Sequence, residues 1–505
     1  MAEPLSTGSP APAEPLLLRA ARLRSGGEPV DVLLADGAVA AVGHRAAAEG
    51  AAARALDLGG RWLLPGLWDE HVHFTQYALM RQRLDVSAAT SAAATAQLVR
   101  DRIDAGGLPE AGPLVGYGFR DGLWPDLPTR AQLDEAARGA AVVLVSGDLH
   151  CLWLSTAAVE LFAAEIGGDA DADGLLREDA AFAVTRRLAE VPDRLVDEWA
   201  AEGAAAAAAR GVVGLVDLEM TWNPAVWARR VGSGLRTLRV ETGVYTHGLD
   251  RALAEGLRTG EPVPGGAGLI MMGPFKVLID GSLNTRTACC EQPYPDGSSG
   301  DLTVAPADLL ALLQRATAGG LVPAVHAIGD AAARVALDTF AALGTGGRIE
   351  HAQLVADADV PRFKELGVIA SVQPEHAMDD RDVADLHWAG RTGRAFMLRS
   401  LLAAGATLAF GSDAPVSPLD PWHGIATAVG RSRDGLPAWH PEQAIPVEEA
   451  LAASSRGRRK VTDGHPADLV VVERDPWRTA VEELRTMPVA WTSVAGRPTH
   501  STLDG

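Results

Sequence analysis

His71 and His73 stand two residues apart at the end of the apolar run Trp62-Leu-Leu-Pro-Gly-Leu-Trp68, where a buried strand gives way to a loop. Side chains two apart on a strand share a face, so both imidazoles can grip one cation. A lone His-x-His also fits ordinary hydrogen-bonded histidines at a strand end, and alone it decides little. Four further segments change the balance. Lys276 lies in Pro274-Phe-Lys-Val-Leu-Ile-Asp280, His326 in Val322-Pro-Ala-Val-His-Ala-Ile-Gly329, His351 in Arg348-Ile-Glu-His-Ala-Gln353 and Asp413 in Leu408-Ala-Phe-Gly-Ser-Asp-Ala-Pro415. Each lies in or closes a short β-prone segment with Gly, Pro or a polar turn beside it.

Those segments need elements to bring them together. After the His-x-His strand, β-like runs recur at Val212–Asp217, Leu238–Tyr245, around Lys276, around His326, around His351, at Val368–Pro374 and before Asp413. Helical patterns fill the gaps, at Asp308–Gln314, Ala331–Leu343 and Phe396–Leu402 among others. Alternation of this kind predicts an α/β fold, a (β/α)8 TIM barrel with its site at the C-terminal ends of the strands. The ligand candidates then fall on strands one, four, five, six and eight. More than a hundred residues separate the first strand from the second. That stretch carries its own strands, Leu114–Phe119 and Val142–Ser146, so it reads as a large insertion after strand 1 that roofs the site. Short β-like runs at both ends, with Asp36-Gly37 as a hairpin turn, predict a small β-sandwich built from both chain termini. The expected division is 1–60 for the N-terminal half of the sandwich, 61–79 for the first barrel strand and 80–209 for the insertion. Residues 210–455 then form the rest of the barrel, and 456–505 the C-terminal half of the sandwich.

With 505 residues, nearly half of them hydrophobic, the chain can bury one large core and a satellite. A formal net charge of -20 argues against nucleic-acid or anionic-membrane partners, which require a basic footprint. The short run Arg456-Gly-Arg-Arg-Lys460 reads as a solvated loop. Cys151, Cys289 and Cys290 are too few for a disulfide framework or a thiolate cage and read as buried fillers in a reduced cytoplasm. The N-terminus lacks the pattern of a secretory signal, and no later stretch has membrane-spanning length. Ala204–Ala209, flanked by Glu202 and Arg210, reads as helix.

Taken together, Pro65-Gly-Leu-Trp-Asp-Glu-His-Val-His73, Lys276 with Asp280-Gly-Ser-Leu283 and Arg286-Thr287, His326-Ala-Ile-Gly-Asp330, Ile349-Glu-His-Ala-Gln353 and Gly411-Ser-Asp-Ala-Pro-Val416 resemble the amidohydrolase superfamily. The resemblance is to the YtcJ-like branch that includes N-substituted formamide deformylases. It runs from about Leu16 to Arg497 and takes in Leu127-Pro-Thr-Arg130, Gly147-Asp-Leu-His150 and Gly174-Leu-Leu-Arg-Glu178. It implies a metal-dependent hydrolase with one or two divalent ions, zinc first among them. His71 and His73 would hold one ion together with Asp413, His326 and His351 the other, and Lys276 would bridge them as a carbamate derived from carbon dioxide. The implied reaction is attack of metal-activated hydroxide on a small amide or formamide, with Asp413 as general base and then acid.

Substrate contacts are expected from His150, Arg286, Trp124 and Gln373, each with a packing alternative: an ion pair for Arg286, a strand-end cap for Gln373, and insertion packing for His150 and Trp124. The partner is a small molecule, and relatives of this kind commonly pair as homodimers. The same metal site would serve an ester or lactone. A metal-free scaffold is a further reading, disfavoured by the intact ligand set. A one-metal deaminase is weaker still, because Ala-Ile-Gly-Asp follows His326 where that chemistry places a Glu. Departures from the branch are Glu70 before the first His, Asn284-Thr285 in the loop after strand four, and a short Ser454–Gly464 segment.

Overall fold

The computed structural model describes residues 14–109, 112–119, 121, 124–146, 151–167, 173–188 and 190–503. Its contacts divide the chain into two compact units, one of residues 1–76 and 204–505 and one of residues 77–203.

The larger unit begins with β1 (Leu16–Ala21), β2 (Val30–Ala35), β3 (Ala38–Val42) and β4 (Arg54–Asp57). They form a sheet in the order β3-β2-β1-β4. The β2–β3 hairpin turns on Asp36 and Gly37, both at positive φ, the backbone that a two-residue hairpin loop requires. Next come β5 (Trp62–Pro65) and β6 (Leu67–Val72), the latter buried at every position. Here the structure corrects the expectation of one barrel strand across 61–79. The chain changes sheets at Gly66, where a Cβ would stand 2.3 Å from Val213 Cγ1. Only glycine permits that approach.

The smaller unit holds β7 (Leu84–Asp85), β8 (Leu114–Phe119), β9 (Val142–Ser146), β10 (Cys151–Leu154) and β11 (Leu175–Arg177) in one sheet, in the order β11-β10-β9-β8-β7. Strand periodicity gives it two cores. Val142 and Leu144 join one apolar cluster, Val143 and Val145 the other.

Back in the larger unit run β12 (Val212–Asp217), β13 (Arg239–Tyr245), β14 (Ile270–Leu278), β15 (Pro323–Ala327), β16 (Arg348–His351), β17 (Ile369–Val372) and β18 (Leu408–Phe410). With β6 they make an eight-stranded sheet, parallel throughout. Its strands read as continuous apolar runs because helices cover a parallel sheet. The helix Asp330–Leu343 shows how: Ala332, Ala333, Ala336, Leu337 and Phe340 are its buried apolar residues, at helical spacing. The two ends of the sheet meet where Asp413 N donates to His71 O at 2.7 Å and His73 N to Ala414 O at 2.8 Å. Gly411 permits this, since a Cβ there would lie 2.7 Å from the His71 backbone nitrogen. The result is a TIM-like barrel.

The chain ends with β19 (Leu469–Val472), β20 (Val489–Val494) and β21 (Arg497–Ser501), which pair with β5 in the order β21-β20-β19-β5. Leu16, Leu18, Val32 and Leu34 from one end of the chain share an apolar cluster with Leu63, Leu469, Val471 and Trp491. Two local expectations fail. The helix expected from Phe396 starts at Leu398, because Phe396 sits at φ 52, outside helical backbone. Arg456 is not a solvated loop residue: it pairs with Glu70 and Glu241 and lies over the Trp68 ring. Among the described residues no helix is long and apolar enough to cross a membrane.

Candidate active site

Each ligand candidate sits at the C-terminal end of a barrel strand, where the fold leaves backbone and side chains free of the ladder. His71 is on β6 and His73 just beyond it. Lys276 is on β14, His326 on β15 and His351 closes β16, while Asp413 follows β18. His351 and Asp413 adopt positive φ, 74° and 57°. Non-glycine residues hold that backbone at a cost, and it turns the chain out of the strand where these two side chains are needed.

Asp413 Oδ1 lies 3.5 Å from His71 Nε2 and 3.4 Å from His73 Nε2. The His71 ring centre is 5.7 Å from that of His73 and 5.0 Å from that of His351, which in turn is 4.5 Å from that of His326. One donor atom each from His71, His351 and Asp413 fall within 4.8 Å of one another. That tightest triple draws on strands one, six and eight, and so crosses the two groups into which the ligands had been divided. His326 turns its Nε2 to Gly281 O at 3.2 Å and to Asp280 Oδ1 at 3.3 Å. Asp280 also accepts from the backbone of Cys289, Ile328 and Gly329, tying the loops after β14 and β15 together. Burial pushes its carboxyl up to about 7.

Electrostatics sort these groups by charge. Burial brings the His71 imidazole down to about 4 and the His326 imidazole down to about 3, and Lys276 adds to both effects. Burial likewise holds His351 well below its usual range. These rings are neutral, as ligands must be. His73 moves the other way: burial acts to lower it, but the hydrogen bond and charge of Asp413, with the charge of Glu219, together hold it above its usual value. Burial acts to raise Asp413, yet His71, His73 and His351 hold it well below the usual carboxylate range. Lys276 is 1% exposed, and burial brings its ammonium down to about 8.

A buried donor set left as it stands is incomplete. Among the described residues, His73 Nδ1, His351 Nδ1 and His376 Nε2 are buried without a hydrogen-bond partner. Each orphan costs about 1–3 kcal/mol. Neutral imidazoles, an ionised carboxylate and unsatisfied ring nitrogens fit a divalent cation.

The expected substrate contacts separate. Gln373 is buried with its carboxamide 3.5 Å from His71 Nδ1. Arg286 pairs with Asp296 at 2.7 Å and is half-exposed. Trp124 donates to Ala89 O at 3.2 Å and packs on Phe119 in the smaller unit. His150 lies outside the described residues.

A sequence profile described as the amidohydrolase family matches residues 54–500. The chain belongs to the amidohydrolase family. It is 27% identical over 484 residues to the putative amidohydrolase YtcJ of Bacillus subtilis (strain 168), covering 88% of this chain and 89% of that one. It is 26% identical over 513 residues to N-substituted formamide deformylase of Arthrobacter pascens, covering 92% and 94%. The crystal structure of an uncharacterized metal-dependent hydrolase from Pyrococcus furiosus matches with a TM-score of 0.75 at 25% identity, over 92% of this chain and 100% of that one. Family membership and these relatives are consistent with the YtcJ-like branch of amidohydrolases and support a hydrolase.

Sequence reasoning missed three residues of this amidohydrolase's site. His376 follows β17, buried, its ring stacked on that of His351 with centres 6.3 Å apart. Glu350 and Arg348 stand beside His351, with Glu350 Oε2 2.8 Å from His71 Nδ1. A signal existed for the pair: two charges at alternate positions of a strand otherwise reading as barrel core point to one buried face. His376 carried none, being a lone histidine at the start of the short helix His376–Asp379.

Proposed function

We propose that this amidohydrolase cleaves a non-peptide carbon–nitrogen bond, of the amide or formamide type, in a small molecule. The observation that carries the proposal is the cluster of donor atoms from His71, His351 and Asp413 at the C-terminal end of the barrel, with the His73 and His326 rings against it and ring nitrogens that have no partner among the described residues. His71, His73 and Asp413 would hold one divalent ion, and His326 and His351 a second. When bound, such a cation supplies Lewis acidity and a nucleophilic water at neutral pH. Zinc suits this donor set best.

The chain's own groups do the rest. Asp413, ionised beside three imidazoles, takes the proton of the attacking water and hands it to the departing nitrogen, which leaves as an amine rather than an amide anion. His376, buried and with no partner for its Nε2 among the described residues, donates to the oxygen that gains charge as the carbonyl becomes tetrahedral. Gln373 orients the substrate from beside His71. Lys276 is desolvated enough to exist partly as a neutral amine. Its Nζ could add to carbon dioxide, an N–C bond forming as one N–H proton passes to solvent, and the anionic carbamate so made would offer oxygen ligands to a cation. The formamide type is favoured because N-substituted formamide deformylase aligns over 92% of the chain.

Protein purified without chelator should contain between one and two ions per chain by mass spectrometry. A panel of N-substituted formamides, amides, esters and lactones should show the formamides or amides turned over fastest. Lys276→Ala should lose one ion and most activity, with partial rescue by short carboxylic acids. Protein without metal, and without activity on adding zinc or manganese, would overturn the reading in favour of a scaffold. Preference for esters or lactones would move the bond assignment and leave the site intact.

A further inference from the structure

Arg348 and Glu350 occupy alternate positions of β16, and both are buried. Arg348 makes four hydrogen bonds: to Glu70 Oε2 at 2.8 Å, Glu70 O at 2.8 Å, Ser371 Oγ at 2.9 Å and Glu350 Oε1 at 3.0 Å. The other Glu350 oxygen meets His71 Nδ1 at 2.8 Å. On its far side Glu70 Oε1 accepts from Arg456 Nε at 2.9 Å. Arg456 in turn reaches Glu241 at 2.5 Å and lies 3.4 Å over the Trp68 ring. A continuous file of alternating charge, Arg456, Glu70, Arg348, Glu350, thus ends on one imidazole.

The file fixes a chemical property of that imidazole. An ionised carboxylate only accepts, so His71 must carry its hydrogen on Nδ1. Its Nε2 lone pair then faces Asp413, 3.5 Å away. Without the carboxylate, a neutral imidazole divides between two tautomers and rotates, and one tautomer has no lone pair at Nε2. Stability is a poor reason for such a file, since buried ion pairs recover little more than their desolvation cost and apolar replacements of equal volume often match them.

We propose that Glu350 is a positioning residue that sets the tautomer and aim of His71 toward a cation, and that Arg348 and Glu70, anchored by Arg456, hold Glu350 in place. The proposal rests on the reading of His71 as a metal ligand. Partners of this kind, one bond removed from the ion, are worth about 10–100-fold in metal affinity.

The test is zinc affinity by chelator competition on stripped full-length protein, with thermal unfolding of the stripped protein as control. Glu350→Gln removes the charge. Glu350→Asp keeps the charge that Arg348 requires but withdraws the carboxylate from Nδ1. Both are expected to bind zinc 10- to 100-fold more weakly than wild type, with Arg456→Gln showing a smaller loss. Should neither Glu350 variant unfold cooperatively, 15N-histidine spectra of stripped wild type, with His71 assigned through His71→Gln, decide instead: the Nδ1–H tautomer supports the proposal. Wild type that binds no zinc sinks the metal reading itself. Wild type that binds, with Glu350 variants within twofold of it or with His71 as the Nε2–H tautomer, overturns this proposal alone.

Discussion

The barrel buries two groups of charge side by side, and they are treated in opposite ways. Glu70, Arg348, Glu350 and Arg456 are paired at 2.8–3.0 Å, each carboxylate meeting a guanidinium. Lys276 is no less buried, yet among the described residues no carboxylate lies within ion-pair distance of it, and His73 and His351 each leave a ring nitrogen without a partner. Burying a charge is costly unless it is paired. The paired file therefore supports itself, whereas the under-satisfied group is retained against its own interest, which is how a ligand site differs from scaffolding.

The most severe way to break that contrast is at Asp413. Asp413→Asn keeps the shape and removes the base, and kcat/KM on the best substrate of the panel should fall on the order of 10³–10⁴-fold. Activity within tenfold of wild type would return Asp413 to the structural side. Next comes the paired file. Arg348→Met strands Glu70 and Glu350 in the core, and the stripped protein should lose about 3–5 kcal/mol in denaturant unfolding. A loss under about 1 kcal/mol would mean that water reaches these carboxylates.

Lys276→Met should do the reverse. Burial lowers the ammonium from 10.5 to about 8. The unfolded chain therefore binds more protons than the folded one between those values, and stability of the stripped wild type rises with pH from about 8 to about 10.5. Below that window the buried charge costs roughly 3 kcal/mol. Methionine fills similar volume with no charge, so the stripped variant should be more stable than wild type near neutral pH by about 1–3 kcal/mol, lose the upward slope, and be inactive. A destabilised variant would make Lys276 an ordinary structural residue.

This contrast also explains what the sequence disclosed. The barrel was legible because parallel strands covered by helices must be apolar runs at regular intervals, and the ligand candidates because each closes such a run. The break between β5 and β6 was hidden: Trp62–Trp68 is apolar throughout, and only the approach of Val213 to Gly66 shows that the chain changes sheets there. Arg456 was misread for a related reason. A basic run looks solvated until its partners, Glu70 and Glu241, are brought from nearly 400 and just over 200 residues away. Glu350 and Arg348 are the intermediate case, marked by alternation yet overlooked beside the more conspicuous His351.

The mildest test concerns Arg286, which lies in the loop that follows β14 and belongs to neither group. Its partner Asp296 holds it at 2.7 Å while its side chain stays 46% exposed. Exposed pairs of this kind contribute little, since water screens them and both side chains lose freedom. Arg286→Ala should therefore change unfolding free energy by under about 0.5 kcal/mol and leave metal content untouched. If Arg286 instead leaves Asp296 to grip substrate, KM should rise severalfold with kcat unchanged, the signature of binding lost equally in ground and transition states. Stability and KM thus separate a surface pair from a specificity contact, and a large fall in kcat would place Arg286 with the under-satisfied group after all.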